Sequence, residues 1–331
     1  MIVFDANATN FQQIAANDNT NHLSEIIFKD SIILDNPIIT DSLYQPQETL
    51  VSAAIVAKKT FIQKIQQKKN TPYLVAGSVG AIGGGIYYLM RDAWWKEKST
   101  NFHFDAGRDF RYANNLDKFG HFQGGIWAAD FYDVTFRQLG YNKKQSGWYA
   151  LAMTTGFQML IEIKDGFSPN WGYSWGDISA GALGGMWIVG KQYSNFMRQT
   201  DFKFSYWVHS TKYFSVTSHK VKIFHADDYL NQTYWFSTPV NYLTANKIKG
   251  MPDWLNFSVG FGIDADTWST KVAGEGGKWE FFFAPDINLE KLFKPKKKFW
   301  KTIVHAANYL KLPMPTLQIG PYKPQYHWLY L

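Results

Sequence analysis

The chain has 331 residues, a formal net charge of +7, a hydrophobic fraction of 46%, and no cysteine. Zero cysteine excludes disulfides, Cys-ligated zinc, iron–sulfur clusters and thiol catalysis. The hydrophobic fraction excludes a wholly disordered chain, and a mean hydropathy of −0.28 argues against one built mostly of membrane spans.

Composition changes along the chain. Aromatic residues make up 18% of it, yet no Trp occurs before residue 71. Residues 1–57 are rich in Asn, Gln and Asp, with Lys29 as their only base, and 58–69 then carry five lysines. Residues 1–70 therefore read as a weakly ordered tail and basic segment, with one short strand around 25–34. The start lacks the basic region of a secretory signal. Either the protein is not exported, or its true start lies upstream of this one.

Residues 73–90 run uncharged through five glycines. Eighteen such residues sit at the lower edge of a membrane span. The first expectation is a membrane-embedded helix, ahead of a buried soluble helix and a Gly-rich hairpin. The Trp94–Trp95 pair that follows suits a membrane flank. Three more helices are predicted at 116–139, 148–163 and 177–197, joined by short polar connections that favour antiparallel neighbours. Beyond about residue 200 the period changes. Residues 255–264 alternate apolar and polar or small side chains, the mark of a half-buried strand. Strands are also predicted at 202–208, 221–225, 233–237, 279–284, 315–320 and 325–331, with a basic helix at 297–311. The fold class read from this is α+β: a helical bundle of about four helices over 71–200, then an antiparallel β-rich region over 201–331. No internal repeat is visible. The GEGG run at 274–277 lacks the Lys-Ser/Thr of a phosphate loop.

The helical region carries polar residues where a packed bundle prefers apolar ones. Asp117, His121, Gly124 and Ala128 share one face of the first of these helices. Thr155, Gln158, Glu162 and Asp165 share a face of the second, and Asp177, Gly181 and Gly184 a face of the third. Up-down-up topology brings Asp117, His121, Glu162, Asp165 and Asp177 to one end of the bundle. Such a cluster admits three chemistries. His121, Glu162 and Asp177 are suited to hold a divalent metal. His121 is suited to act as a general base oriented by a carboxylate. A hydrogen-bonded structural network has the same sequence pattern, with Asp117 and Asp177 serving helix N-termini behind Asn114, Asn115 and Ser174, and Glu162 at a solvated end.

The runs LDKFGHF (116–122), IEIKDGFSPNWGYSWGD (161–177) and ISAGALGG (178–185) resemble the YfiM-like family of bacterial envelope proteins and lipoproteins. The aromatic lead-in at 94–121 and QTYWFS at 232–237 resemble its Bacteroidota branch. A more distant similarity, over 116–190, is to VanZ-like membrane proteins. The resemblance implies a cell-envelope location and brings no established activity. Both families commonly place an Asn where this chain has Gly181, so a site needing that amide would be impaired.

Lys291, Lys294, Lys296, Lys297, Lys298 and Lys301, interleaved with Phe293, Phe299 and Trp300, suit an anionic membrane surface or a solvated face. The bases form no second stripe, so nucleic acid is not expected as a partner. If the helices span a membrane, the lysines and arginines at the opposite end make that end cytoplasmic and turn Asp117 and His121 outward. Asp130, Asp133 and Arg137 fit this poorly and suggest the outer surface of a water-soluble bundle. Three functions follow: an envelope protein with a polar pocket, a metal-assisted or acid/base hydrolase acting on a lipid or cell-wall component, or a structural partner in an envelope complex.

Overall fold

A computed structural model of the chain describes residues 69–107, 109–217, 226–265 and 277–331. The expected tail and strand before residue 69, the strand at 221–225 and residues 274–276 of the GEGG run lie outside them. The described residues belong to one compact unit.

The uncharged glycine-rich segment forms a single helix, α1 (Thr71–Trp94), with Pro72 in its first turn. Five glycines do not break it, so the hairpin reading falls. Leu74 and Val75 pack against the core, and the hydroxyls of Ser78 and Tyr132 meet at 3.3 Å. Tyr73, Tyr87 and Tyr88 are exposed. Among the described residues no helix is long and apolar enough to cross a membrane. The spanning-helix expectation, and the membrane orientation built on it, are therefore overturned. Trp94 and Trp95 do not serve as flanks. Their indole N–H groups donate to the carboxylates of Asp227 and Asp165.

The bundle continues with α2 (Leu116–Gln138), α3 (Lys143–Asp165) and α4 (Trp175–Gly190). The Asn142/Gln145 capping box starts α3 five residues earlier than the apolar pattern suggests. The chain does not continue helically to 197. Ser194 caps a separate turn, Asn195–Gln199, by accepting from the Met197 N–H at 3.3 Å. Glycines let α2 and α4 touch backbone to backbone. A Cβ on Gly125 would stand 2.1 Å from the Gly181 carbonyl oxygen, and one on Gly184 would stand 2.1 Å from that of Phe122. The approach on α2 is made by Gly125, while Gly124 faces Gln158.

Asp133 is buried and does not lie on an outer surface. It pairs with Arg137 at 2.5 Å, as the i,i+4 spacing suggests, and also accepts from Ser146 Oγ. Asp130 pairs with His305.

Six strands follow: β1 (Asp201–Tyr206), β2 (Gln232–Pro239), β3 (Leu255–Ile263), β4 (Trp279–Ile287), β5 (Met314–Ile319) and β6 (Gln325–Tyr330). They form an antiparallel meander in sequence order. A basic helix, α5 (Lys298–Ala307), separates β4 from β5. The α+β reading thus holds, with more helices than four. The described residues also contain short helical turns at Asn195–Gln199, Lys212–Thr217, Val240–Leu243 and Leu289–Leu292.

Alternation gives the sheet two faces. Phe202, Phe204, Tyr234, Phe236 and Phe261 pack toward the bundle, where Phe119 stacks among Phe202, Tyr234 and Phe261. The other face carries Lys203, Ser205, Trp235, Ser237, Asn256, Ser258 and Asp286, and is buried too. Its cover comes from curvature. Tyr309–Lys311, the lead into β5, hydrogen-bonds the free edge of β1 through both backbone groups of Phe204 at 2.9 Å. The same stretch thus touches β1 and feeds β5, which curls the sheet around its polar face.

Candidate functional site

The run before α2 turns sharply. Ala113, Asn114 and Asn115 all have left-handed backbone (φ 45°, 49° and 66°), costly for Ala. Neither Asn caps the helix by its side chain; Asn115 Nδ2 instead donates to the Phe110 carbonyl. The turn brings Asp109 back over the first turn of α2, onto Lys118.

Lys118 is the centre of the cluster. Its Nζ lies 2.5 Å from Asp109, 2.7 Å from Asp117 and 2.7 Å from Asp177. Three carboxylates share one ammonium: Lys118 donates to Asp117 Oδ2, while Asp177 Oδ1 pairs with it by charge without a hydrogen bond among the described residues. Lys118 was not a sequence candidate, although it sits in the same Asp-Lys-x-x-His run, three residues before His121. Asp109 and Ser174 were not candidates either. Ser174 Oγ donates to Asp109 at 2.5 Å and accepts from the Asp177 N–H at 3.1 Å, so one hydroxyl caps α4 and braces the cluster.

A second group shares Asp177. The ligand atoms of His121, Glu162 and Asp177 lie within 4.8 Å of one another. His121 Nε2 stands 3.4 Å from Asp177 Oδ1, and its Nδ1 stands 3.4 Å from Gln158 Oε1. Glu162 is 1% exposed, so the solvated-end reading of it fails. Its Oε2 accepts from the Ser174 N–H at 3.0 Å, while its Oε1 has no hydrogen-bond partner among the described residues. Gln158 fills the space a side chain at Gly181 would need, with Cγ 2.5 Å from the position of a Cβ.

Asp117, His121, Glu162 and Asp177 therefore converge. Asp165 stands apart, receiving the Trp95 indole N–H at 2.5 Å. The sheet backs the site: a Cβ on Gly120 would meet the Tyr234 hydroxyl at 2.9 Å.

Burial governs the protonation of the carboxylates. It pushes Glu162 up to about 9, helped by the negative charges of Asp177 and Asp165 and opposed by the Ser174 N–H. It pushes Asp165 up to about 7 against the pull of the Trp95 indole. Asp117 also lies well above the carboxylate range, because burial outweighs Lys118. Asp109 goes the other way. Burial raises it, but the Lys118 ammonium and the Lys118 and Ser174 hydrogen bonds bring it lower. The arrangement offers protonated carboxyl, imidazole and ammonium groups side by side, with His121 and Lys118 partly open to solvent.

Residues 108–189 match the model of a family described as "Predicted periplasmic lipoprotein (DUF2279)". That span holds every residue of the cluster and leaves out the sheet and α5. The segment is thus similar to an uncharacterised envelope lipoprotein-like family. No curated protein and no solved structure matches the chain.

Proposed function

We propose that the chain is a cell-envelope protein of the YfiM-like kind, whose bundle end binds a divalent cation through His121, Glu162 and Asp177. The observation that carries this is Glu162: a sealed carboxylate with one unpartnered oxygen, beside an imidazole and a second carboxylate. Three carboxylates (Asp109, Asp117, Asp177) share one ammonium, and Glu162 beside Asp177 has none. Uncompensated buried anions are expensive, so the excess calls for protons or a cation. Asp109 and Asp117 have Lys118 in the place of an ion, and Asp177 stands between Lys118 and His121. The His121 side has none. One imidazole and two carboxylates suit a first-row divalent ion. Gln158 would hold the ring with Nε2 toward the ion. A bound ion would supply Lewis acidity or an acidified water.

The test uses the full chain, stripped with a chelator and titrated with Zn²⁺ or Mn²⁺. The expected result is one ion per chain and a raised melting temperature, both lost in His121→Ala and Glu162→Gln variants that keep their circular dichroism. A stripped protein that retains no ion and shows no shift overturns it.

A second reading, an acid/base hydrolase of a lipid or cell-wall component, is favoured by the raised pKa of Glu162, which makes it an acid at neutral pH beside a partly exposed imidazole. Metal-independent hydrolysis of a glycerophospholipid or a peptidoglycan fragment, abolished by Glu162→Gln, would select it over the cation site.

A further inference from the structure

A second polar cavity, of about 140 Å³, lies where the chain after α4 meets the sheet and α5. Lys191, Arg198, Lys291 and His305 line it, with Asp201 and Glu290. The two acids are committed. Asp201 Oδ2 accepts from the amides of Asn288 and Asn308 at 3.0 Å each, and its Oδ1 faces Lys191 at 3.5 Å. Glu290 meets His305 Nδ1, and Asp130 of α2 meets Nε2 at 2.6 Å. With a carboxylate on each nitrogen, the ring holds both protons and a positive charge. The other cations have weaker ties. Lys291 reaches Gln199 at 3.3 Å, and Arg198 donates to two backbone carbonyls. Cationic side chains thus outnumber carboxylates around the cavity.

The helix beside it is turned outward. By helical spacing, Lys298, Lys301 and His305 share one face of α5, and Phe299, Ile303 and Ala306 the opposite one. His305 fastens the polar face to the protein through Asp130. The apolar face points away: Phe299 is 66% exposed, Trp300 54% and Ile303 45%. Leu292 and Phe293, just before the helix, are exposed as well. A helix facing water shows the reverse arrangement.

We propose that this region is a membrane contact. Phe299, Trp300 and Ile303 enter the interface of an anionic bilayer, and Lys191, Arg198 and Lys291 receive the phosphate of one phospholipid headgroup. A basic rim around outward aromatics selects a surface that is negative outside and hydrocarbon beneath. Lys294, Lys296, Lys297, Lys298 and Lys301 extend that rim. The inference is independent of the cation site in the bundle.

The test is flotation of the full chain with vesicles of phosphatidylcholine alone or mixed with phosphatidylglycerol. Binding should rise at least tenfold with phosphatidylglycerol and fall with salt. Phe299→Ser with Trp300→Ser should lower it at least tenfold. Lys191→Gln with Lys291→Gln should lower it more than Lys247→Gln with Lys249→Gln, which removes the same charge from the β2–β3 connection. Equal binding to both vesicles, equal losses in the two lysine pairs, or an inert aromatic pair would overturn the proposal. So would a melting shift with inorganic phosphate unaccompanied by vesicle binding, which would make the cavity a free-anion site. Circular dichroism of each variant reports that it is folded.

Discussion

Two buried ionic clusters among the described residues are built on opposite plans. At the bundle end, Asp109, Asp117 and Asp177 surround Lys118 and Glu162 stands beside Asp177, with acids in excess. Inside the curled sheet, Lys203 and Lys311 share Asp286, with bases in excess. Lys203 and Asp286 Oδ2 meet at 2.8 Å with no exposure on either side chain. Lys311 stands 3.7 Å from the other oxygen, Oδ1, donates to the Pro285 and Leu312 carbonyls, and lies 5.0 Å above the Trp235 ring. Lys203 donates to the Ile287 carbonyl, while Ser237 donates to Asp286 and is itself held by Asn256. The sheet spends backbone carbonyls on its surplus ammonium protons and sets an ammonium before each oxygen of its one carboxylate. The bundle leaves Glu162 Oε1 facing no cation and an imidazole partly open. A sealed cluster leaves no opening for a ligand; an incomplete one beside solvent can take one.

Breaking the sealed cluster should have the largest effect. Asp286→Ala strands two buried ammonium groups and should cost about 3–5 kcal/mol in denaturant unfolding. Replacing Lys203 and Asp286 together by Met and Leu should recover most of that loss, since both charges then go. Lys118→Met should come next, at about 2–4 kcal/mol, because the bundle cluster lies nearer solvent and its acids can take up protons. That loss should shrink on adding a divalent ion, whereas the loss in Asp286→Ala should not.

Titration sharpens the contrast by sign. The folded pKa of Glu162, about 9, lies above its ordinary 4.5. The folded chain therefore holds a proton that the unfolded chain has lost, so metal-free stability from this group falls as pH rises from about 4.5 to 9. In the sheet, burial lowers Lys311 to about 8 from 10.5, against the attraction of Asp286. There the folded chain releases its proton first, and stability from this group rises with pH between about 8 and 10.5. Melting curves of stripped protein across pH 5–10 should show the first slope removed by Glu162→Gln and the second by Lys311→Met. The smallest effect is that of Glu162→Gln at acidic pH: within about 1 kcal/mol, because a neutral amide replaces an already neutral acid.

The convergence of Asp117, His121, Glu162 and Asp177 was legible because helical period and short connections set which residues share a face and an end. The Ser174 cap was legible for the same local reason. Lys118 was hidden by its type: a lysine beside a helix start reads as solvated until Asp109 is folded over it, and that fold depends on a left-handed turn at 113–115. The packing of Gln158 onto Gly181 was hidden because it crosses between helices. The apolar run at 73–90 suggested a membrane span because composition does not reveal neighbours: Leu74 and Val75 pack on the core, while Gly77, Gly80, Gly84 and Gly85 face open space.

The sequence by itself determined the two-part α+β order, the strand alternation and the end of the bundle at which polar groups gather, since period and chain direction are local properties. Only the tertiary structure decided which charges are neutralised. Whether a carboxylate is paired, protonated or left with an open oxygen depends on groups brought from distant segments, on the water their packing removes, and on the curl that seals one cluster while the other stays partly open.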